Sequence, residues 1–392
     1  MHTDPPPFPI VLAGEPGSAR AVPTSTRSPV AVVVPTRDRP SLLRATLGLL
    51  GEALQDGDEL VVVDSASRHG DVGALGEAVG AKVVRCDTPG ASRARNAGVL
   101  ASSAELIAFV DDDCLVQHGW IEGLLRCFES CPQAAFVTGA VLGEPPAKEK
   151  APMSTGLVIL QNEAALEIPP STSGTGEPGG ARNCNIALSV TTRTEPAIFD
   201  LRTDLTTIGH GANMAWRRQA LERIGGFDER LGPGTSLRAA EDLDAFWRAL
   251  LAGMQGAFTP DAVVVHRQWR HLLGQLKAYY GYGVGSGAFQ AKRWRLLAGS
   301  SSGSEQGLIG RLSRTRSASR LLSSVLWDEG ATAVGRRLAE GYETAALAEA
   351  CKTIGALQGA IQASVIPLNG TVFSPRQAGR AASPRRLSSR DL

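Results

Sequence analysis

The sequence predicts an α/β fold in which a mixed, mostly parallel sheet is flanked by helices. Apolar runs with the length of buried strands alternate with segments of helical periodicity over the first part of the chain. This order is typical of parallel sheets, in which helices cross over from one strand to the next. Several of the runs end in acidic or hydroxyl residues. Beyond residue 271 helical periodicity continues without strand runs, so we expect a helical C-terminal extension.

Four strands are predicted in the first third of the chain. The first apolar run stops at Pro35, which cannot donate a hydrogen bond to a strand ladder. Ser41 is the expected N-cap of the first helix, which runs to about Leu54. An amphipathic segment at 72–79 predicts the second helix. The strands are predicted over residues 30–34, 59–64, 81–85 and 106–110.

Three adjacent carboxylates, Asp111-Asp112-Asp113, follow the fourth strand. Like charges at this separation repel one another, so solvent or a cation has to neutralise them, and oxygen-rich sites suit Mg²⁺ or Mn²⁺. A divalent cation at a strand end implies a ligand that carries phosphate. The alternative is a solvated turn whose acids cap a helix beginning near Trp120. The triplet alone leaves both interpretations open.

Polar residues at other strand ends point to the same crevice. Thr36 follows the first strand and Asp64 ends the second. In open parallel sheets ligands bind at the carboxyl ends of the strands, so these side chains should converge with the triplet. A nucleotide fits such a site, with Asp64 accepting from a base N–H and Arg37, Arg93 or Arg95 near the phosphates. Neither G-x-G-x-x-G nor a P-loop follows the first strand, which argues against a dehydrogenase and a P-loop NTPase.

Seven short motifs occur in a fixed order. They are Val34–Pro40, Val62–Ser67, Gly90–Gly98, Phe109–Asp113, Gly211–Arg217, Gly225–Glu229 and Ala240–Asp244. With these motifs the chain resembles the family 2 glycosyltransferases, inverting enzymes that use nucleotide sugars and have the Rossmann-like GT-A fold. Each motif is weak alone, but their number and order make the resemblance specific. It covers residues 30–270 and leaves both ends unexplained.

The resemblance implies roles for residues around the crevice. Asp64 would contact the base, the first acids of the triplet would approach the ribose, and Asp113 of the DxD element would bind the metal, Mn²⁺ or Mg²⁺. His266 is similar in placement to a further metal ligand; a hydrogen-bonded structural histidine is the alternative. The chain has Arg37-Asp38 where an aromatic–Asn pair is common, so base stacking by residue 37 is not expected. The implied nucleotide-binding residues are Pro35, Thr36, Arg37, Arg39, Asp64, Arg93, Asp111 and Asp112.

Catalysis is expected at the start of a helix near residue 241, where an apolar stripe at helical spacing follows two acids. Asp242 resembles the family's catalytic base, which takes a proton from the acceptor hydroxyl. A helix N-terminus stabilises a carboxylate by about 0.3–1 kcal/mol, and complementing the helix dipole is the structural alternative. Gly211, Asn213 and Glu241 are the expected contacts of the donor and acceptor sugars. For the glycines near residue 211 a tight strand entry is the alternative.

The composition indicates a protein with a large core and gives no electrostatic case for a nucleic-acid partner. Of 392 residues 43% are hydrophobic and 20% are charged, and the formal net charge is +1. The six cysteines show neither a C-x-x-C pair nor zinc spacing, so we expect reduced thiols. There is no run of about 18 apolar residues and no signal-peptide pattern. We therefore expect a cytoplasmic protein without a transmembrane segment.

The flanks differ in character from the domain at 29–270. Residues 1–28 are expected to form a flexible lead, 271–370 a helical extension and 371–392 a disordered basic tail, and an insertion rich in Pro and Gly interrupts the domain at about 144–180.

An aromatic stripe in the extension has two interpretations. Tyr280, Tyr282, Phe289 and Trp294 lie beside basic residues and either pack on the domain or make a peripheral contact with a lipid surface. The alternating glycines at 281–287 resemble a nucleotide-binding loop only superficially, because no strand precedes them.

The predicted function is an inverting glycosyltransferase of the hexosyltransferase type (EC 2.4). A sugar would move from a nucleotide-diphosphate donor, expected to be a UDP-sugar, to a hydroxyl acceptor such as a glycan, a lipid-linked molecule or a small molecule. The alternatives are a non-catalytic nucleotide-sugar-binding module with the same fold and a nucleotidyltransferase. The latter would need a Gly-rich loop directly after the first strand, and Val34–Arg37 contains no glycine.

Overall fold

A computed structural model of the chain describes residues 27–144, 189–191, 193–270, 272–300 and 343–364. Nearly all of the predicted N-terminal lead, most of the insertion predicted at 144–180 and the predicted tail at 371–392 lie outside the described residues. The described part is a mixed α/β structure, as the sequence predicts.

The strands and helices alternate along the first half of the chain. The strands are β1 (Val30–Thr36), β2 (Glu59–Ser65), β3 (Lys82–Cys86), β4 (Leu106–Val110), β5 (Cys114–Val116), β6 (Ala134–Gly143), β7 (Ala197–Phe199), β8 (Asn213–Arg217) and β9 (Gln255–His266). The helices are α1 (Pro40–Ala53), α2 (Val72–Glu77), α3 (Ala91–Ala101), α4 (Trp120–Ser130), α5 (Arg218–Ile224), α6 (Glu241–Leu251), α7 (Leu272–Ser300) and α8 (Glu343–Ser364).

One sheet of nine strands organises the part of the chain that the structure describes. The strand order is β3-β2-β1-β4-β8-β6-β9-β5. The remaining strand, β7, pairs with the first part of β9, and β5 pairs with its last part. The first four strands are mutually parallel, β8 is antiparallel to both β4 and β6, and β9 runs parallel to β6. The carboxyl ends of β1, β2 and β4 therefore meet at one edge of the sheet.

One local prediction differs from the structure. The first helix begins at Pro40 with Arg39 as its N-cap, so the prediction of Ser41 as the N-cap was wrong. Proline favours the first helical position because its φ is already helical and its missing N–H has no partner there.

The core has two layers, one on each face of the sheet. Val32 and Val34 of β1 pack in the layer under α1 and α4, whereas Ala31 and Val33 pack in the layer under α3 and α6. This alternation is the period of two expected for a strand buried on both faces. In the second layer the rings of Phe136, Trp216 and Phe246 stack on one another, with centroids 4.8–5.7 Å apart.

The two C-terminal helices form a close pair through glycines. A Cβ on Gly283 or Gly287 of α7 would lie within 1.9 Å of a carbonyl oxygen of α8, and one on Gly359 of α8 would lie 1.8 Å from a carbonyl oxygen of α7. The alternating glycines are thus part of a continuous helix, and their missing side chains let the two backbones touch.

Helix α7 also packs on the domain. Phe289 meets Trp247 of α6 edge to face, with ring centroids 6.0 Å apart. This contact agrees with the packing interpretation of the aromatic stripe at that residue. Among the described helices none is both long and apolar enough to cross a membrane.

Replacing Gly98 with Ala should destabilise the fold. The new Cβ would lie 2.2 Å from Cγ1 of Val33, which is fully buried in β1, and overpacking of this kind typically costs about 1–3 kcal/mol. Gly48 in α1 is the matched control, because a Cβ there meets nothing within 4 Å, and Gly48→Ala should gain about 0.5–1 kcal/mol of helix stability. Urea unfolding of both variants measures the difference. Equal effects would mean that α3 does not depend on this close approach.

Candidate active site

The acid triplet lies where the sequence predicts, at the carboxyl end of β4 and beside the end of β1. Asp112 and Asp113 are buried, while the side chain of Asp111 is 30% exposed. The hydroxyl of Thr36 donates to Oδ2 of Asp112 at 2.6 Å. Thr46 of α1 donates to the backbone carbonyls on either side of Asp113, which fixes the turn. The two strand ends therefore form one polar site.

Arg39 neutralises two of the three acids. Its guanidinium lies 2.6 Å from Oδ1 of Asp112 and 2.8 Å from Oδ2 of Asp113. Burial raises the pKa of Asp112 to about 7 despite Arg39. Burial also opposes the charge on Asp113, but the hydrogen bond and charge of His266, followed by Arg39, hold the pKa of that carboxyl well below its usual range. Asp113 is thus the acid that stays ionised.

A group of metal-ligating atoms surrounds Asp113. Its carboxylate, the thiol of Cys114 and the imidazole of His266 all lie within 4.8 Å of one another. Cys114 and His266 are register partners on the antiparallel strands β5 and β9, and Nε2 of His266 is 3.5 Å from Oδ1 of Asp113. A carboxylate oxygen and an imidazole nitrogen are suitable ligands for Mn²⁺, and the carboxylate also suits Mg²⁺. The donor set fits a divalent cation.

Two connected loops, after β1 and β2, line the crevice beside the triplet. Asp64 accepts from the backbone N–H of Ser67 at 2.8 Å and from the guanidinium of Arg85. The backbone N–H of Asp38 donates to the hydroxyl of Ser67 at 2.9 Å, which joins the loop after β1 to the loop after β2. Arg37 stands on the outside of this pair with 37% of its side chain exposed.

The start of α6 lies against the triplet. Oδ2 of Asp242 accepts from the backbone N–H of Gly211 at 2.7 Å. Glu241 is buried and pairs with Arg95 at 2.7 Å, and Arg95 also reaches Asp111 at 3.0 Å. Burial raises the pKa of Glu241 to about 7 against the opposing charge of Arg95. One guanidinium therefore connects the first acid of the triplet to the helix that carries Asp242.

Residues 31–225 match the family model described as "Glycosyl transferase family 2". This segment belongs to glycosyltransferase family 2. The match ends before α6, so the helix that carries Glu241 and Asp242 comes after it.

Two curated relatives match the chain in sequence. The pre-mycofactocin glycosyltransferase of Mycobacterium tuberculosis is 28% identical in an alignment of 264 residues that covers 64% of this chain and 46% of that protein. An uncharacterized protein, y4gI, of Sinorhizobium fredii is 27% identical in an alignment of 272 residues that covers 67% of this chain and 27% of that protein. The chain thus spans less than half of the length of either relative.

A solved structure shares the fold. The mannosyltransferase PcManGT from Pyrobaculum calidifontis, in complex with GDP-Man and Mn²⁺, superposes with a TM-score of 0.51 over 86% of this chain and 88% of its own. Its sequence identity is 18%, so the likeness concerns the GT-A architecture of the family 2 domain.

Two residues predicted as ligand contacts have other partners. The amide of Asn213 is fully buried; it donates to the carbonyls of Ala140 and Ala262 and accepts from Trp120, so its side chain faces into the sheet. Arg93 donates to the carboxylate of Glu229 at 3.0 Å. Neither side chain points to the acid triplet in this arrangement.

Pro35 and Gly211 have backbone positions that suit the predicted site. Pro35 is the register partner of Val63 near the ends of β1 and β2. A Cβ on Gly211 would come within 3.2 Å of Asp242 and 3.1 Å of Arg95, so a glycine lets the loop approach both side chains.

The sequence interpretation missed three side-chain contacts around the candidate site. Arg85 is the register partner of Asp64 on the adjacent strand, a pairing that the parallel order of β2 and β3 could have indicated. Arg95 was expected near phosphates, yet it is bonded to two carboxylates. Trp269 donates its indole N–H to Asp113 at 2.8 Å, and no local pattern marks it. Its partner lies 156 residues away in sequence.

Replacing Arg95 with Met should destabilise the protein in a pH-dependent way. Removing one partner of a buried ion pair typically costs about 3–5 kcal/mol, because the other charge is left unpaired. Since the pKa of Glu241 is raised above its ordinary value of 4.5, the folded state binds this proton more tightly, and stability falls as pH rises from about 4.5 to about 7. Without Arg95 the pKa rises further. Urea unfolding should therefore show a smaller deficit at about pH 5 than at about pH 8.

Glu241→Gln provides the control for this prediction. In the double variant Arg95→Met, Glu241→Gln no carboxylate is left unpaired at position 241, so part of the lost stability should return. A deficit that is the same at both pH values and in the double variant would show that the ion pair does not brace α6.

Proposed function

We propose that the chain is an inverting glycosyltransferase that moves a sugar from a nucleoside-diphosphate donor to a hydroxyl acceptor with the help of a divalent cation. The observation that carries the proposal is the position of Asp242. Its carboxylate is held by Gly211, and its helix is joined to Asp111 through Glu241 and Arg95. In this proposal Asp242 and the acid triplet lie on opposite sides of one crevice. Direct displacement of the nucleotide by the acceptor hydroxyl requires a base on one side of the anomeric carbon and the diphosphate on the other.

The nucleotide binds across the ends of β1 and β2 in this proposal. Asp64 accepts from the base, held in orientation by Arg85, and Thr36 and the acids at 111 and 112 meet the ribose. Arg39 is next to the position where the diphosphate lies. We keep a UDP-sugar as the expected donor, and a GDP-sugar is included in the test because the structural neighbour from Pyrobaculum holds GDP-Man.

Asp113 and His266 would hold the divalent cation, whose charge would stabilise the diphosphate as it departs. The other roles belong to side chains and backbone groups. Asp242 takes the proton from the acceptor hydroxyl, and the N–H of Gly211 keeps its Oδ2 oriented. Asp242 lies in the first turn of α6, where the helix dipole favours a negative charge.

The acceptor in this proposal is a molecule that supplies a hydroxyl group. The relative from Mycobacterium tuberculosis is named for pre-mycofactocin, so pre-mycofactocin belongs in the acceptor panel beside glycans, lipid-linked molecules and small alcohols.

Asp242→Asn should abolish transfer and leave donor binding intact. Loss of a general base typically lowers turnover by about 10²–10⁴-fold, whereas the amide keeps the size and the contact with Gly211. Release of nucleoside diphosphate from a panel of UDP- and GDP-sugars with Mn²⁺ measures turnover, and calorimetry with UDP and GDP measures binding. Asp261→Asn, an exposed acid on β9, is the control. Near-normal turnover in Asp242→Asn would remove Asp242 from the role of base.

Chelation of divalent cations should stop transfer, and Mn²⁺ or Mg²⁺ should restore it. His266→Ala should raise the cation concentration needed for half-maximal turnover, because one of the two proposed ligands is lost. The titration is followed by the same diphosphate-release assay after treatment with EDTA. Undiminished activity after complete chelation would withdraw the metal role from Asp113.

A further inference from the structure

Arg39 is paired with the carboxylate for which a divalent cation would compete, that of Asp113. Its guanidinium bridges Asp112 and Asp113 through two short ion pairs of 2.6 and 2.8 Å. Both carboxylates are almost fully buried, whereas 26% of the Arg39 side chain is exposed toward the crevice. The protein thus supplies its own counterion to Asp113, the acid that the resemblance assigns to metal binding, and to its neighbour Asp112.

The oxygen of Asp113 nearest Arg39 already has a full set of donors. Oδ2 accepts from Nη1 of Arg39 and from the indole N–H of Trp269, both at 2.8 Å, and Nη2 of Arg270 lies 3.9 Å away. Oδ1 faces His266 instead. Asp113 can therefore offer Oδ1 to a divalent cation. The guanidinium of Arg39 on the same carboxylate would repel that cation.

Arg39 is positioned by an aromatic ring as well as by the acids. The guanidinium of Arg39 lies 5.5 Å from the ring centroid of Trp269, and that of Arg270 lies 4.4 Å from it. The ring of Trp269 thus lies beside two guanidinium groups, and its indole N–H donates to Asp113. Movement of Arg39 away from Asp113 would change the surroundings of this indole.

The neighbouring arginines are not equivalent to Arg39. Arg95 is 3% exposed and is committed to Asp111 and Glu241, and Arg85 is committed to Asp64. Arg39 combines direct contact with Asp113, partial exposure and a place at the N-terminus of α1. Among these three it is the one that contacts Asp113, so a divalent cation at Asp113 would compete with Arg39.

We propose that Arg39 is an exchangeable counterion, which leaves Asp113 when a divalent cation binds and pairs with the diphosphate of the donor. The inference rests on the proposed function, because it takes the diphosphate to be the second partner of Arg39. Cation and nucleotide then bind cooperatively. The cation frees Arg39 for the diphosphate, and the diphosphate stabilises Arg39 away from the cation. By linkage each ligand raises the affinity for the other by the same factor, and such couplings typically amount to about 5–150-fold.

The test measures Mn²⁺ binding and needs no transfer reaction. Free Mn²⁺ is followed by its electron paramagnetic resonance signal in titrations of the full chain, with and without saturating UDP or GDP. For the unchanged protein we expect weak binding of Mn²⁺ alone and at least about fivefold tighter binding with one of the two nucleotides. Arg39→Met should bind Mn²⁺ alone at least about fivefold more tightly than the unchanged protein, and the nucleotide should then tighten Mn²⁺ binding less than it does in the unchanged protein, because only the direct attraction between cation and diphosphate remains.

Arg44→Met is the matched control. Arg44 lies on the same helix and is exposed, so this change removes the same charge without touching the acids, and Mn²⁺ binding should not change. Trp269→Phe removes one donor from Asp113 but keeps Arg39, and it should tighten Mn²⁺ binding less than Arg39→Met does. Equal or weaker binding of Mn²⁺ alone by Arg39→Met would overturn the proposal.

Indole fluorescence tests the same exchange in the unchanged protein, so the result does not depend on folding of Arg39→Met. Mg²⁺ together with UDP or GDP should change the emission component that is missing in Trp269→Phe, and Mg²⁺ alone should change it much less. The absence of any change in that component with both ligands present would also overturn the proposal. If Mn²⁺ and nucleotide couple as expected but no donor is ever turned over, the proposed function fails while the exchange of Arg39 stands.

Discussion

The site depends on one buried guanidinium, that of Arg95. It projects from α3 and contacts Asp111 at the end of β4 and Glu241 at the start of α6, at 3.0 and 2.7 Å. Without this cation the two carboxylates, which come from distant segments, would repel each other. The ion pairs fix the distance between the triplet and α6, and with it the position of Asp242. The geometry proposed for catalysis is therefore a consequence of charge pairing within the protein.

The loop that leads into α6 is strained, and the C-terminal helices support it. Ala240 and Arg238 have φ angles of +69° and +63°, a region that residues with a Cβ rarely adopt. Helix α7 packs directly against this loop, because a Cβ on Gly285 would lie 2.5 Å from the backbone of Ala239. Lys292 of α7 pairs with Asp244 of α6. The helical extension is thus part of the support of the site, although the family match ends at residue 225.

Arginines from other segments of the chain neutralise the acids of the triplet, and the local sequence around the triplet does not indicate this. The sequence argument holds that three adjacent carboxylates need solvent or a cation. In the fold, Arg39 and Arg95 already serve Asp112, Asp113 and Asp111. The case for a divalent cation therefore rests on the donor set around Asp113 rather than on unbalanced charge. His266 is the decisive member of that set, since it places an imidazole nitrogen beside Asp113 from strand β9.

The sequence by itself determined the α/β fold, the crevice at the strand ends and the approach of residues 36, 64 and 111–113. Hydrophobic periodicity and the residue type at each strand end are local signals. In a parallel sheet the carboxyl ends of the strands lie at the same edge, so the residues at those ends lie close together. Only the tertiary structure decided that Asn213 is buried inside the sheet, that Arg85 holds Asp64 and that Trp269 caps Asp113. These assignments depend on which distant segment lies opposite a side chain and on its burial. Contacts of that kind leave no periodic trace in the chain.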